Sequence, residues 1–101
     1  MSFFGRVLKN GKEEEIDIPS GFTLTLLMAS YDGNQSTAAL LVRVGSEPET
    51  AFQLATLDSE SNRNCPIQAE FSHGDSPIVL CSAGGGEHGG GGIHVTGRYG
   101  Y

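Results

Sequence analysis

The last third of the chain, residues 65–101, shows the clearest alternation of hydrophobic and polar positions. Because successive side chains of a strand point to opposite faces, this alternation predicts strands with one buried and one wetter face. The alternating residues are Ile67, Ala69 and Phe71 against Gln68 and Glu70, and Ile93 and Val95 against His94 and Thr96. Between these two strands, residues 78–81 are apolar on both faces. They predict a third strand, covered by a second sheet on one side and by a neighbouring subunit on the other.

Five further strands are predicted upstream, each bounded by turn residues. Residues 22–31 are also compatible with a helix, but their threonines and the turn signals at both ends favour a strand. The five predicted strands are residues 3–8, 13–18, 22–31, 37–44 and 50–57, with turns at Asn10–Gly11, at Asp32–Asn34 and at residues 45–49. Pro48 is assigned to the last turn because proline is costly inside a central strand. Eight short strands with regular turn signals predict an antiparallel β-sandwich or barrel.

The pattern also groups residues by face within the longer strands. Phe22, Leu24, Leu26 and Met28 are expected on one face, Thr23, Thr25, Leu27, Ala29 and Tyr31 on the other, and Ala38, Leu40, Val42 and Val44 together on one face of the next strand. The pattern does not say which face is core, because the two sets can be exchanged without altering it. Leu27, Leu41 and Val79 are the candidates for a subunit interface. An aspartate at whichever of them faces a neighbour should yield monomers, because an unpaired buried charge is costly.

Length and charge narrow the classes of function. A chain of 101 residues is expected to form one domain over residues 1–101. The net charge of −6 argues against direct binding of nucleic acid, since phosphate binding needs clustered Lys and Arg. No apolar run is long enough for a membrane span, and the first residues lack the apolar core of a signal peptide, so we expect an intracellular protein. In a reducing compartment, Cys65 and Cys81 are expected to be free thiols.

Three groups of residues resemble chemical motifs without matching them. The glycine run Gly84–Gly92 contains a formal G-x-G-x-x-G at Gly84, Gly86 and Gly89. A β-type segment follows it where dinucleotide binding requires a helix, so a hairpin loop is predicted. Glu87, His88 and His94 match no metal-site spacing. Ser72, His73 and Asp75 lie too close in sequence for a triad and are ordinary turn residues. We therefore predict no enzyme activity, no cofactor and no metal.

Acidic residues form the remaining cluster of interest. They are Glu13, Glu14, Glu15 and Asp17 after the first turn, Glu47 and Glu49 on either side of Pro48, and Asp58 and Glu60 at the longer loop. One interpretation is that they are solvated loop and edge residues. The other is a divided acidic surface that attracts a basic protein and is multiplied by symmetry in an oligomer.

Four blocks of this sequence resemble those of a known family, in the same order. SFFGRVLKNGK resembles the "FWG-x-x-(L/V)-K-P-G-K" start of the nucleoplasmin-like domains found at the N-terminus of nuclear FKBP-type prolyl isomerases. FQLATL, CPIQAEFSHGDSPIVLCSAG and GGIHVTGRYGY resemble later blocks of that family. Gly5 stands at the glycine of the opening motif. Gly97 stands in the closing motif, where a residue without Cβ permits close backbone approach. The long acidic tracts of the family are missing, and residues 84–92 exceed its usual turn.

The resemblance implies an eight-stranded jelly-roll β-sandwich that assembles into a homopentameric ring, with two rings stacked into a decamer in some members. It implies a nuclear or nucleolar histone chaperone that binds core histones through its acidic residues. Relatives of this kind can be the N-terminal part of a longer protein. The alternative function is a structural oligomerisation module of a nuclear FKBP-type peptidyl-prolyl isomerase. A third is a ligand-binding jelly roll with an aromatic pocket, for which Tyr31, Tyr99 and Tyr101 are few and scattered.

Overall fold

A computed structural model of the chain describes residues 2–9, 12–33, 37–45, 47–58, 60–84 and 92–101. All eight predicted strands are present: β1 Ser2–Lys9, β2 Glu13–Ile16, β3 Thr23–Tyr31, β4 Thr37–Val44, β5 Glu47–Asp58, β6 Asn64–Ser72, β7 Ile78–Gly84 and β8 Gly92–Gly100. A short 3-10 helix, His73–Asp75, connects β6 to β7. The turn predicted at Asn10–Gly11 and most of the glycine run, with Glu87 and His88, lie outside the described residues, as does Asn34.

The strands form two four-stranded antiparallel sheets, here called sheet A (β1-β8-β3-β6) and sheet B (β2-β7-β4-β5). Consecutive strands largely alternate between the sheets, which is the jelly-roll arrangement and confirms the expected fold. One end of the sandwich, the helix end, contains the 3-10 helix, the start of β3 and the end of β8. At the opposite far end, β3 finishes at Tyr31 and β8 begins at Gly92.

The core lies between the inner faces of the two sheets. Its largest fully buried side chains are Phe4, Leu8, Ile18, Leu24, Leu26, Leu40, Leu57, Ile78, Leu80, Ile93, Val42 and Val95. Ile67 and Phe71 in β6 are also buried, while Gln68 and Glu70 are exposed. The alternation predicted for β6 and β8 is therefore confirmed. In β4, Ala38, Leu40 and Val42 are buried, and Val44 is partly buried at the strand end.

The face assignment for β3 was right as far as Leu27 and wrong from Met28 onward. A register shift between Leu26 and Met28 in both of β3's pairings inserts an extra residue. Such a bulge reverses the phase of the strand. Ala29 and Tyr31 consequently join Leu24 and Leu26 in the core.

Two strand boundaries also differ from the prediction. β2 ends at Ile16 rather than at residue 18, and β5 begins at Glu47 rather than at residue 50. Pro48 therefore lies inside β5. That strand is at the edge of sheet B, where a missing backbone N–H disrupts no ladder with a further strand. The predicted turn at residues 45–49 is shorter as a result.

Gly97 allows β8 to approach β3 closely at the centre of sheet A. It pairs with Phe4 on one side and with Leu26 on the other. A Cβ on Gly97 would collide with the backbone carbonyl oxygen of Thr25 and lie 3.0 Å from the Cα of Leu26. The close backbone approach expected at this glycine is therefore confirmed.

Asp32 ties the end of β3 to the start of β8. The backbone N–H of Gly92 donates a 2.6 Å hydrogen bond to Asp32 Oδ1, and His94 Nε2 lies 2.6 Å from Oδ2. The Gly92 bond, followed by the contact with His94, lowers the pKa of the Asp32 carboxyl. The pair thus fixes the position from which β8 leaves the glycine run.

We expect Asp32→Asn to lower the free energy of unfolding at neutral pH by about 1 kcal/mol or less, since the site is largely exposed. The amide keeps an acceptor for Gly92 but removes the charge beside His94. A carboxyl whose pKa is lowered in the folded state stabilises the fold fully above its ordinary pKa of 3.8. This stabilisation is lost as the pH falls through the lowered pKa. Urea titrations should therefore show the difference between wild type and variant shrinking below that pH. A difference independent of pH would contradict this role, and Glu60→Gln, an exposed acid elsewhere, is the control.

Candidate functional site

Two of the three acidic residues of β2 lie on the same face as two of the interface candidates. In sheet B, Glu13 pairs with Cys81, which pairs with Leu41. One row further toward the helix end, Glu15 pairs with Val79, which pairs with Arg43. Directly paired residues share a face of the sheet, and the intervening row contains the buried Leu80 and Val42. Glu13, Glu15, Leu41 and Val79 therefore lie together on the outer face of sheet B.

Glu13 is partly neutralised on this face. Arg43 donates a 2.6 Å hydrogen bond from a guanidinium nitrogen to Glu13 Oε2. That hydrogen bond, with the charge of Glu13, raises the pKa of Arg43. Within the described ranges, the ion pairs are this one and Asp32–His94. Glu15 is exposed and belongs to neither, so it contributes more of its negative charge to the surface.

The other acidic candidates are divided between the two ends of the sandwich. Asp17 follows β2 and Glu49 lies near the start of β5, so both belong to the helix end, and both are exposed. Asp58 and Glu60 lie at the far end. Glu14 is half-buried, and the side chain of Glu47 is outside the described set. The eight sequence-predicted acidic residues therefore do not form one continuous surface.

Asp58 has a structural role in its loop. Its Oδ1 accepts hydrogen bonds from the backbone N–H groups of Glu60, at 2.7 Å, and Ser61, at 3.3 Å. Its backbone also pairs with that of Asn62. An aspartate that accepts backbone hydrogen bonds in this way forms an Asx-type turn. The Asp58 carboxylate therefore interacts with the backbone of its own loop.

The apolar interface candidates lie on two opposite faces. Leu27 is 40% exposed on the outer face of sheet A, whereas Leu41 and Val79 are partly buried on the outer face of sheet B. Sheet A also exposes Phe3 and Val7, at 78% and 47%. These two were missed by sequence reasoning, although the buried neighbours Phe4 and Leu8 imply that the adjacent residues point outward.

A shallow depression lies on the outer face of sheet B, at the helix end. It is lined by Glu15, Arg43, Val44, Gly45, Pro77 and Val79. Half of its six lining residues carry apolar side chains, Val44, Pro77 and Val79, and its carboxylate, Glu15, is free of ion pairs in the described part of the chain.

The residues that resembled a triad form local structure. The backbone N–H of Ser72 donates to Asp75 Oδ2 at 2.9 Å, and His73 Nδ1 lies 2.7 Å from the carbonyl oxygen of Ile18. Ser76 Oγ accepts a hydrogen bond from the backbone N–H of Ile18. His73 in the 3-10 helix and Ser76 directly after it thus hold the β2–β3 loop in place through their hydrogen bonds to the backbone of Ile18.

Cys65 and Cys81 are free thiols, as expected, and burial raises the pKa of Cys81, which makes its thiol a weak nucleophile. Tyr31 is buried, Tyr99 packs edge-on against Phe4, and Tyr101 stacks on Phe22, so the tyrosines do not share one pocket. No metal-binding group of three His, Cys, Asp or Glu side chains occurs among the residues described. The described helical residues include no helix long and apolar enough to cross a membrane.

Comparison with known proteins identifies relatives of this fold. A family model described as the nucleoplasmin-like domain matches residues 3–100. The crystal structure of the Drosophila NLP core, reported for its insight into pentamer formation and histone binding, superposes with a TM-score of 0.82 at 16% identity and 100% coverage of both chains. The nucleoplasmin-like N-terminal domain of Drosophila FKBP39 superposes with a TM-score of 0.73 at 19% identity, covering 97% of this chain and 86% of that one. No curated protein matches the sequence significantly.

Proposed function

Since the chain belongs to the nucleoplasmin-like domain family over nearly its whole length, we propose that it is a nuclear histone chaperone domain. In this proposal residues 1–101 form one domain, five copies close into a ring, and the ring binds core histones. Pentamer formation and histone binding are attributed to the Drosophila NLP core, which shares this fold.

The ring assembly is supported by apolar groups on two different outer faces. Sheet A exposes Phe3, Val7 and Leu27, and sheet B presents Leu41 and Val79. Contact between two different patches is heterologous, and repetition of such a contact through a rotation that closes produces a ring. Light scattering of the purified domain should give a mass near five subunits, with about ten as the stacked form. A monomer would contradict the assembly.

The histone-binding proposal rests on one observation, the pair of exposed carboxylates at the helix end. Asp17 directly follows β2 and Glu49 lies in β5, the two edge strands of sheet B, and both residues are exposed at this end. A ring multiplies these charges by symmetry. Repeated negative charge of this kind attracts basic histones and steers their association.

We expect Asp17→Asn/Glu49→Gln to reduce core-histone retention several-fold in a pull-down at about 0.15 M salt, where surface charges are screened beyond roughly 8 Å. The matched control, Glu60→Lys, changes the net charge by the same amount at an exposed position of the far end and should retain histones. Light scattering of both variants shows whether a change in histone retention comes from disruption of the ring. Equal retention by wild type and both variants would eliminate this site.

The alternative is a structural oligomerisation module of a nuclear FKBP-type prolyl isomerase. It is favoured by the similarity to the N-terminal domain of FKBP39, which spans almost the whole chain. A ring that retains no histones at about 0.15 M salt would support this alternative over the chaperone.

A further inference from the structure

We propose that Phe3 of one copy inserts into the sheet B depression of the next copy, where Arg98 of the first copy pairs with Glu15 of the second. This contact rests on the proposed ring and specifies how neighbouring copies recognise one another. It assigns a docking function to the depression lined by Val44, Pro77 and Val79.

Phe3 is suited to insertion because most of its surface is exposed on the outer face of sheet A. It lies on β1, the edge strand, and is 78% exposed. A Cβ built on Gly5 would lie 2.8 Å from Phe3 Cε2. The missing side chain of Gly5 thus lets the ring lie against the backbone of β1 and leaves its other face open. A single exposed aromatic is ordinary, but Val7 and Leu27 on the same face extend it into an apolar surface.

The depression provides aliphatic walls for such a ring. Val44, Val79 and Pro77 line it. A Cβ on Gly45 would lie 2.7 Å from the carbonyl oxygen of Ser76, so two backbone segments meet there without an intervening side chain. The cation in the lining, Arg43, is already paired with Glu13, which leaves Glu15 as the available charge.

Charge is complementary between the two surfaces. Phe3 pairs across the strands with Arg98, which is exposed and outside the ion pairs of the described ranges. Val79 pairs with Glu15. Each surface therefore combines an apolar residue with one charge, and the charges are opposite, which favours correct pairing and penalises wrong partners.

The two surfaces also lie near the same end of the sandwich. Phe3–Arg98 is two rows in from Thr23–Gly100, the last row of sheet A at the helix end. Glu15–Val79 is one row in from Ile16–Ile78, at the helix end of sheet B. The strands of packed sheets run within about 30° of each other, so rotation about an axis along the strands keeps each residue at its height. Such a rotation brings the Phe3 surface of one copy to the depression of the next.

A charge-exchange experiment tests this contact. Arg98→Glu and Glu15→Arg should each shift the domain from ring to smaller species in light scattering, because each places like charges at the interface. The double variant restores opposite charges and should restore the ring. Phe3→Ala should raise the dissociation constant between subunits about tenfold or more through loss of a buried aromatic. Tyr101→Ala, at a 93% exposed position, is the control and should leave it unchanged.

The outcomes separate this contact from the proposed function. If wild type forms a ring and Glu15→Arg does not weaken it, the proposed contact is wrong but the ring assembly is retained. A double variant that stays dissociated, although circular dichroism shows it folded, also overturns the pairing. If wild type is a monomer, the ring and the contact both fail. Histone retention by the restored double variant, relative to wild type, reports on the chaperone role independently, because Asp17 and Glu49 are unchanged.

Discussion

Gly97→Ala is expected to lower the free energy of unfolding by about 3 kcal/mol or more and to leave much of the protein unfolded. The added Cβ collides with the carbonyl oxygen of Thr25, a backbone atom that moves only if β3 and β8 separate. These strands are the central pair of sheet A and supply Leu24, Leu26, Ile93 and Val95 to the core. Because small domains have only about 5–15 kcal/mol of stability, the free-energy cost of separating these strands is a large fraction of the total.

Urea unfolding followed by circular dichroism measures this effect. Gly100→Ala is the matched control, because it lies on the same strand and a Cβ there meets nothing within 4 Å. We expect the control to unfold at the same urea concentration as wild type. If Gly97→Ala also unfolded at the wild-type urea concentration, the inference that β3 and β8 approach closely at this residue would be wrong.

Val79→Asp is expected to yield folded monomers, since it places a charge on the outer face of sheet B next to Glu15. In a ring whose sheet A surface packs against sheet B of the next copy, that charge is buried beside Glu15, and the neighbouring cation Arg43 is already paired with Glu13. An uncompensated buried charge costs about 3–5 kcal/mol, which raises the dissociation constant between subunits by about 100-fold or more. Leu27→Asp should do the same from the opposite surface.

Light scattering and circular dichroism together measure this outcome. Ser61→Asp adds the same charge at an exposed loop position and should leave the ring intact. Val42→Asp, in the core at 2% exposure, should unfold the domain and so distinguish loss of assembly from loss of fold. Ring-sized particles formed by both Val79→Asp and Leu27→Asp would refute the two-surface arrangement.

Local patterns were sufficient for the elements themselves. Alternation and turn residues located all eight strands, whereas the close approach at Gly97 was implied by the resemblance of the closing block to the nucleoplasmin-like family. The pattern of β3 failed from Met28 onward because a bulge depends on how β6 and β8 pair with that strand. Pro48 was misplaced for a similar reason, since edge position is a property of the sheet and not of the strand.

Sequence reasoning treated the acidic and the apolar candidates as separate groups. The structure shows that Glu13 and Glu15 share a face with Leu41 and Val79, because β2 pairs with β7, and β7 with β4, over long sequence separations. It also assigns Asp58 to a turn and places Asp17 and Glu49 at one end. The relations between strands leave no signal in the residues nearest to each carboxylate, whereas the Asp58 turn is local.

Local side-chain period and turn chemistry were sufficient to identify which segments are strands, and four motif blocks in order were sufficient to indicate the fold of one family. The three-dimensional structure was needed to establish which faces point outward, which charges meet, and where the depression lies. Those properties depend on the register between strands that are distant in the chain, and a period-2 pattern is identical for both choices of face.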